Sequence, residues 1–253
     1  DPNILGLIKK YLKAGIMDKG RYLETEEGSA QGNIISPVLA NIYMHFVLVL
    51  WYKEIIEKRA KGDTFLVVYA DDFIAGFQYK YEAEAYYEAL KKRMSKFGLE
   101  LECNKSRLLE FGRFAEENRK ARGERKPETF DFLGFTFYCS RSRSGKFSVK
   151  VKTSKKKFRQ KVKAMKIWLY QNRDIKVSEL IEKLNIKLVG HYRYYGVSHN
   201  GRMLCNFRQR TIDFLYKILN RRSNKKSYTN EGFQELIKIL KIPYPKIYIS
   251  LFD

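Results

Sequence analysis

The sequence predicts an α+β fold, an antiparallel sheet with helices on one face, followed by a mainly helical region. Three observations carry that prediction. Over the first 150 residues the apolar spacing switches repeatedly between the helical period of 3.6 and the strand period of 2. From about residue 154 onward it is helical alone. The charge is also split: residues 1–112 carry 16 basic and 16 acidic side chains, whereas residues 113–253 carry 34 and 12, so the net charge of +22 lies in the second part. We therefore expect two domains, 1–150 and 151–253, with a polyanion, nucleic acid foremost, held by the second.

The elements follow in order. Ile4, Leu7, Ile8, Tyr11 and Leu12 share a helical face, and Gly15 stops the helix. The stretch RYLETEEGSAQGNIISP, polar and with two glycines, reads as a loop or hairpin. From Pro37, PVLANIYMHFVLVLWYKEIIEKR is apolar, has proline in its first turn and basic residues at its end, and predicts a buried helix. TFLVVY and FIAGF are short and rich in β-branched or aromatic residues, with ADD between them, which predicts a hairpin with acids at its turn. Ala83, Tyr87, Leu90, Met94 and Phe97 return to helical spacing before Gly98, and LELEC alternates as a half-buried strand. Residues 113–128, dense in charge, read as an exposed connection. TFDFLGFTFY and KFSVKV predict two strands joined by the turn SRSRSG.

Several classes are set aside. No apolar run reaches the length of a membrane span, so no membrane partner is expected. The start, DPNILGLIKK, lacks the layout of a signal peptide and has no initial Met, which suggests a piece of a longer or processed polypeptide. Cys103, Cys139 and Cys205 are too scattered for a disulfide frame and read as free thiols in a reducing compartment; with no paired spacing to His45, His191 or His199, zinc is not expected.

Asp71 and Asp72 interrupt an apolar run, in FLVVYADDFIAGF. A buried unpaired carboxylate costs several kcal/mol, on the order of 3–5. An Asp pair also fits a solvated hairpin tip, where Asp is common. The setting favours more, because strands on both sides fix the turn to a sheet. Two rigid carboxylates can share divalent cations, and a metal pair about 3.5–4 Å apart serves both oxygens of a phosphoryl displacement. Magnesium, which takes carboxylate and phosphate oxygens, suits such a site.

YADDF, Tyr69 to Phe73, resembles the catalytic hairpin of reverse transcriptases. AQGNIISPVLANIYMH (Ala30–His45) is similar to that family's Gln-Gly loop and Ser-Pro helix start, FGLELECNKSRLLEFG to its next block, and FDFLGFTFY to the one after. LNIKLVGHYRYYGV resembles the thumb of bacterial group II intron-encoded reverse transcriptases and maturases. The resemblance implies a partial right-hand polymerase palm followed by a helical thumb or maturase domain, two Mg2+ ions in the complete enzyme, and three partners: an RNA template with a DNA primer, dNTPs and the group II intron RNA. It implies Asp71 as metal ligand with Asp72 beside it, and Tyr69 and Ala70 beneath the primer end. Gln31 and Gly32 would border the nucleotide and templating base, Lys105 would face the triphosphate, and Leu133 with Gly134 would grip the primer. Lys105 reads also as a surface lysine, and Gly134 as a strand bulge. The implied location is the bacterial cytoplasm.

The departures are informative. Ala30 stands where the family has proline, and Asn33 where it often has glycine or serine. The family takes a third metal-binding Asp from an earlier strand, yet only Asp1, Asp18 and Asp63 precede the pair, none ending an apolar strand. The fingers and first palm motifs are therefore expected elsewhere, in a separate polypeptide or a missing segment, and the chain alone is expected not to polymerise.

In the basic region, residues 151–173 hold nine basic and no acidic side chains, with Phe158, Val162, Met165 and Leu169 on one helical face. Lys155, Lys156, Lys157, Arg159, Lys161, Lys163 and Lys166 form an outward RNA-binding face on this reading, joined by Arg193 and by Arg221 and Arg222 of a second cluster. Tyr192, Tyr194 and Tyr195 read equally as base-stacking or core residues. The closing IPYPKIYISLF is expected to dock on the thumb, and it carries no Cys or His cluster for a zinc endonuclease. The alternatives are a splicing-only RNA-binding maturase and a retron or CRISPR-associated relative; a double-stranded-DNA reader lacks its motifs.

Overall fold

In the computed structural model, described for residues 1–13, 15–18, 21–23, 35–102, 104–142, 144–222 and 227–251, the chain forms two units, Asp1–Leu109 and Glu110–Asp253. Both mix helices with small antiparallel sheets, so the fold class is α+β.

The first unit begins with α1, Pro2–Leu12, whose N-terminus is closed by the Asp1 carboxylate accepting from the Asn3 amide at 2.8 Å. Strands β1 (Ile16–Asp18) and β2 (Arg21–Leu23) pair antiparallel. Helix α2, Ser36–Met44, runs on through π-helical stretches His45–Leu50 and Tyr52–Glu57. Its Val47, Leu48 and Tyr52 form a core with Tyr86, Leu90 and Met94 of α3, Lys80–Lys96. Against that core lies a hairpin, β3 (Thr64–Tyr69) and β4 (Asp72–Phe77), through Leu66, Val68, Phe73, Ala75 and Phe77.

Three expectations change here. The α2 region is less buried than its composition suggested, since Val38, Ile42, Tyr43 and Phe46 remain exposed. Ser36–Glu57, with 22 residues and mean hydropathy 1.2, is also long and apolar enough by length and composition to cross a bilayer, although Val47, Leu48 and Tyr52 are spent on the core. Residues 99–102 form no strand. Leu99 and Leu101 do face the core and Glu100 and Glu102 face out, but among the described residues no neighbouring strand supplies a ladder, and Cys103 lies outside them; alternation fixes facing, not pairing.

In the second unit the charged stretch expected as an exposed connection is mostly exposed and contains a short helix, α4, Ala115–Ala121. Arg122 pairs with Glu110 and with Glu124 at 2.7 Å, and these bonds hold both carboxyls below their ordinary range. A three-stranded sheet follows, β5 (Phe130–Phe132), β6 (Phe135–Arg141) and β7 (Phe147–Thr153), in sequential order. TFDFLGFTFY is thus two strands broken at Leu133–Gly134, not one.

Helices α5 (Lys155–Gln171), α6 (Val177–Tyr195), α7 (Gly201–Asn220) and α8 (Asn230–Ile239) enclose the larger core, which includes Leu169, Leu184, Leu188, Tyr192, Leu204 and Leu215. Met165 and Leu169 are buried and Phe158 and Val162 pack beside them, the face that the spacing predicted. The division between the units falls at residue 109, and the sheet β5–β7 belongs with the helices that follow it. The Ser154 amide donates to the Gly134 carbonyl at 2.9 Å, and the Thr153 amide to buried Asn200 Oδ1 at 2.8 Å. The closing segment docks on the same unit. Ser198 donates to Ile249, Tyr248 donates to Gly196, and Arg208 lies 3.9 Å over the Tyr244 ring.

Candidate active site and nucleic-acid interface

The β3–β4 register pairs Tyr69 with Asp72, which leaves a two-residue turn, Ala70–Asp71. Such a turn needs left-handed backbone, and Ala70 supplies it at φ +53°, a conformation costing a non-glycine residue roughly 1 kcal/mol. One face of the hairpin is on the core. The other is open: Phe65, Val67 and Tyr69 are exposed, and cross-strand pairing sets Gly76, Ile74 and Asp72 opposite them. The Phe65 ring lies over Gly76, where an added Cβ would fall 2.2 Å from a ring carbon. The far end is closed by reciprocal bonds between Asp63 and Gln78 at 2.9 and 3.0 Å. The result is a braced ribbon presenting Asp71 and Asp72, both exposed, at its tip.

Carboxylate oxygens are the donors a hard divalent cation takes. The fit is partial, for among the described residues no group of three or more His, Cys, Asp or Glu side chains could hold a metal. Lys105 lies on an exposed turn of the same unit, 3.6 Å from Glu102, and its ion-pair partner is thus not an aspartate of the tip. Gln31 and Gly32 lie outside the described residues, as do Ala30 and Asn33.

In the second unit the Leu133–Gly134 turn has φ +49° and +83°, the pattern of a tight type I′ hairpin, with leucine in the position glycine or asparagine usually takes. Neighbours hold it there. Tyr194 Oη donates to the Leu133 carbonyl at 3.1 Å, and Phe135 stacks on Tyr194 at 6.2 Å. A Cβ at Gly134 would come within 3.2 Å of Tyr195 Oη and 3.7 Å of Lys157 Cγ. The tyrosines divide: Tyr192 and Tyr195 are core, whereas Tyr194 and Arg193 are exposed.

Helix α5 starts at Ser154, whose hydroxyl caps the Lys157 amide. Lys155, Lys156, Lys157, Arg159, Lys161, Lys163 and Lys166 are all exposed along it. Lys155, Lys156, Arg159 and Lys163 line a groove of about 510 Å³ with Gln160 and with Asp131 of β5. Sequence reasoning missed the last two. Asp131 sits between Phe130 and Phe132, so strand alternation alone assigns it to the open face. Arg221 is exposed, whereas Arg222 is half-buried and donates from Nη1 to the Ile175 carbonyl at 2.9 Å.

Residues 2–137, more than half the chain, match the family described as reverse transcriptase (RNA-dependent DNA polymerase). The chain belongs to the reverse transcriptase family. Over 57 residues the chain is 47% identical to the group II intron-encoded protein LtrA of Lactococcus lactis subsp. cremoris, which covers 21% of this chain and 10% of that protein. Forty-five residues are 47% identical to an uncharacterized 91 kDa protein in a cob intron of Schizosaccharomyces pombe, covering 18% of this chain and 6% of that protein. The matched stretch thus spans about a tenth or less of each relative's length. The reverse transcriptase match includes the acidic tip and the Leu133–Gly134 turn and ends within β6, so helices α5–α8 lie beyond it.

Proposed function

We propose that this chain carries the catalytic hairpin of the palm, and the thumb, of a group II intron-encoded reverse transcriptase, in residues 1–150 and 151–253 respectively. The observation that carries the reading is the Ala70–Asp71 turn: a strained, braced tip presenting two carboxylates inside the segment that matches the family. Asp71 and Asp72 would hold divalent cations, magnesium by their oxygen chemistry. Bound there, those ions would stabilise the attacking and leaving oxygens of nucleotidyl transfer. Tyr69 and Ala70 would support the primer end, and Gln31, Gly32 and Lys105 the nucleotide.

The tip offers two carboxylates where rigid placement of a metal pair asks for more, so a third donor comes from another segment or polypeptide. The exposed cations of α5, with Arg193, Arg221 and the Leu133–Gly134 turn, would grip the template–primer duplex and the intron RNA. The reading places the protein in the bacterial cytoplasm. A splicing-only role is the second reading, favoured by the basic helices lying outside the polymerase match.

Primer extension with magnesium, an RNA template and a DNA primer tests the primary reading. The chain alone gives no extension, yet binds the primer–template with steep salt dependence. Extension that Asp71→Ala abolishes would overturn the incompleteness; loss of salt-sensitive binding would overturn the grip.

A further inference from the structure

We infer that Asp131 makes the α5 groove selective for RNA, its carboxylate accepting a hydrogen bond from a ribose 2′-hydroxyl while the strand's phosphates lie along Lys155, Arg159 and Lys163. The inference rests on the α5 face being a nucleic-acid grip.

A carboxylate in a groove lined by four cations repels the polyanion that those cations attract. Its position is nonetheless fixed. Thr136, its ladder partner, donates its hydroxyl to Asp131 Oδ1, and Thr136 is nearly buried. On the other face Phe130 stacks on Phe137 at 5.1 Å, which keeps the strand from rotating. The groove's two walls are joined, since the Ser154 amide at the head of α5 bonds the Gly134 carbonyl just beyond β5.

Lys155, Arg159 and Lys163 recur every four residues, a rise of about 6 Å per step along the helix. That step is close to the spacing of successive phosphates on a strand. An ionised carboxylate only accepts, so it has no bond to make with phosphate. The hydroxyl that every RNA nucleotide carries beside its phosphate is the 2′-OH, and it separates RNA from DNA. With RNA the carboxylate gains a second, charged hydrogen bond beside the one from Thr136; with DNA it keeps only the Thr136 bond and faces the backbone without that gain, a difference of about tenfold in affinity.

The test measures binding of one single-stranded sequence as RNA, DNA and 2′-O-methyl RNA, at one fixed salt concentration. The expected order is RNA about tenfold tighter than either of the others. Asp131→Ala removes that preference and does not weaken DNA binding. Asp131→Asn, which keeps the bond from Thr136 with a weaker acceptor, leaves an intermediate preference and serves should the alanine variant misfold. Lys163→Ala weakens RNA and DNA alike. A wild-type chain that binds RNA and DNA equally, or an RNA preference that survives both Asp131 changes, overturns the inference while leaving the grip intact. A chain that binds none of the three overturns the grip as well.

Discussion

Ala70 and Leu133 are non-glycine residues in left-handed backbone, and each sits in a two-residue turn that the family resemblance assigns to the reaction. Strain of this kind persists where the surroundings over-determine it: the hairpin register and core contacts at Ala70, Tyr194 and Phe135 at Leu133. Leu133→Gly should therefore leave chemical-denaturation stability unchanged or raise it by up to about 1 kcal/mol, while weakening primer–template binding. Gly76→Ala should act the other way. Its Cβ would push the exposed Phe65 ring aside, costing about 1 kcal/mol in the same measurement, and Phe65→Ala should remove the clash. The sequence showed the acids and the glycines. It did not show that Ala70 is left-handed, because that follows from a register only pairing can set.

At the scale of elements, the amphipathic spacing located α1, α3 and α5 but gave only a helical pattern, without separate helices, for the stretch that forms α6, α7 and α8; at Leu99–Glu102 periodicity alone misled, since the facing is right and the strand absent. Buried polar groups were invisible in sequence. Asn200 is fully buried, accepting from the Thr153 amide and donating to Thr153 Oγ1 and the Tyr195 carbonyl, and so stitches β7 to the α6–α7 connection. Asn200→Ala should cost on the order of 2–4 kcal/mol, read by urea unfolding. His191 of α6 stacks on Phe207 of α7 at 3.7 Å; burial, with some help from Lys161, depresses its pKa to about 4. The unfolded chain binds that proton near pH 6.5, so between pH 6.5 and 4 the unfolded state holds more protons and stability falls as pH falls. The thermal midpoint should drop through that window, and His191→Phe should flatten the drop.

Across the whole molecule, the charge excess belongs to the second unit. The excess of Lys and Arg begins at about residue 113 and the units divide at 109, whereas the change to helical spacing near 150 falls inside the second unit. A contiguous fold keeps a binding face on one body, and the sheet that precedes α5 belongs to that body. Replacing Lys155, Arg159 and Lys163 together by Gln should lower the slope of log affinity against log salt by roughly 2–3. The acidic tip belongs to the other unit, and there the central claim is that Asp71 and Asp72 together form an incomplete divalent-cation site. The most direct measurement is Mn2+ binding followed by electron paramagnetic resonance, for the wild-type chain, Asp71→Ala and Asp72→Ala, with Mg2+ as competitor. The account predicts weak binding, roughly millimolar, displaced by Mg2+ and lost in either variant. Mn2+ binding of equal strength in Asp71→Ala would contradict it.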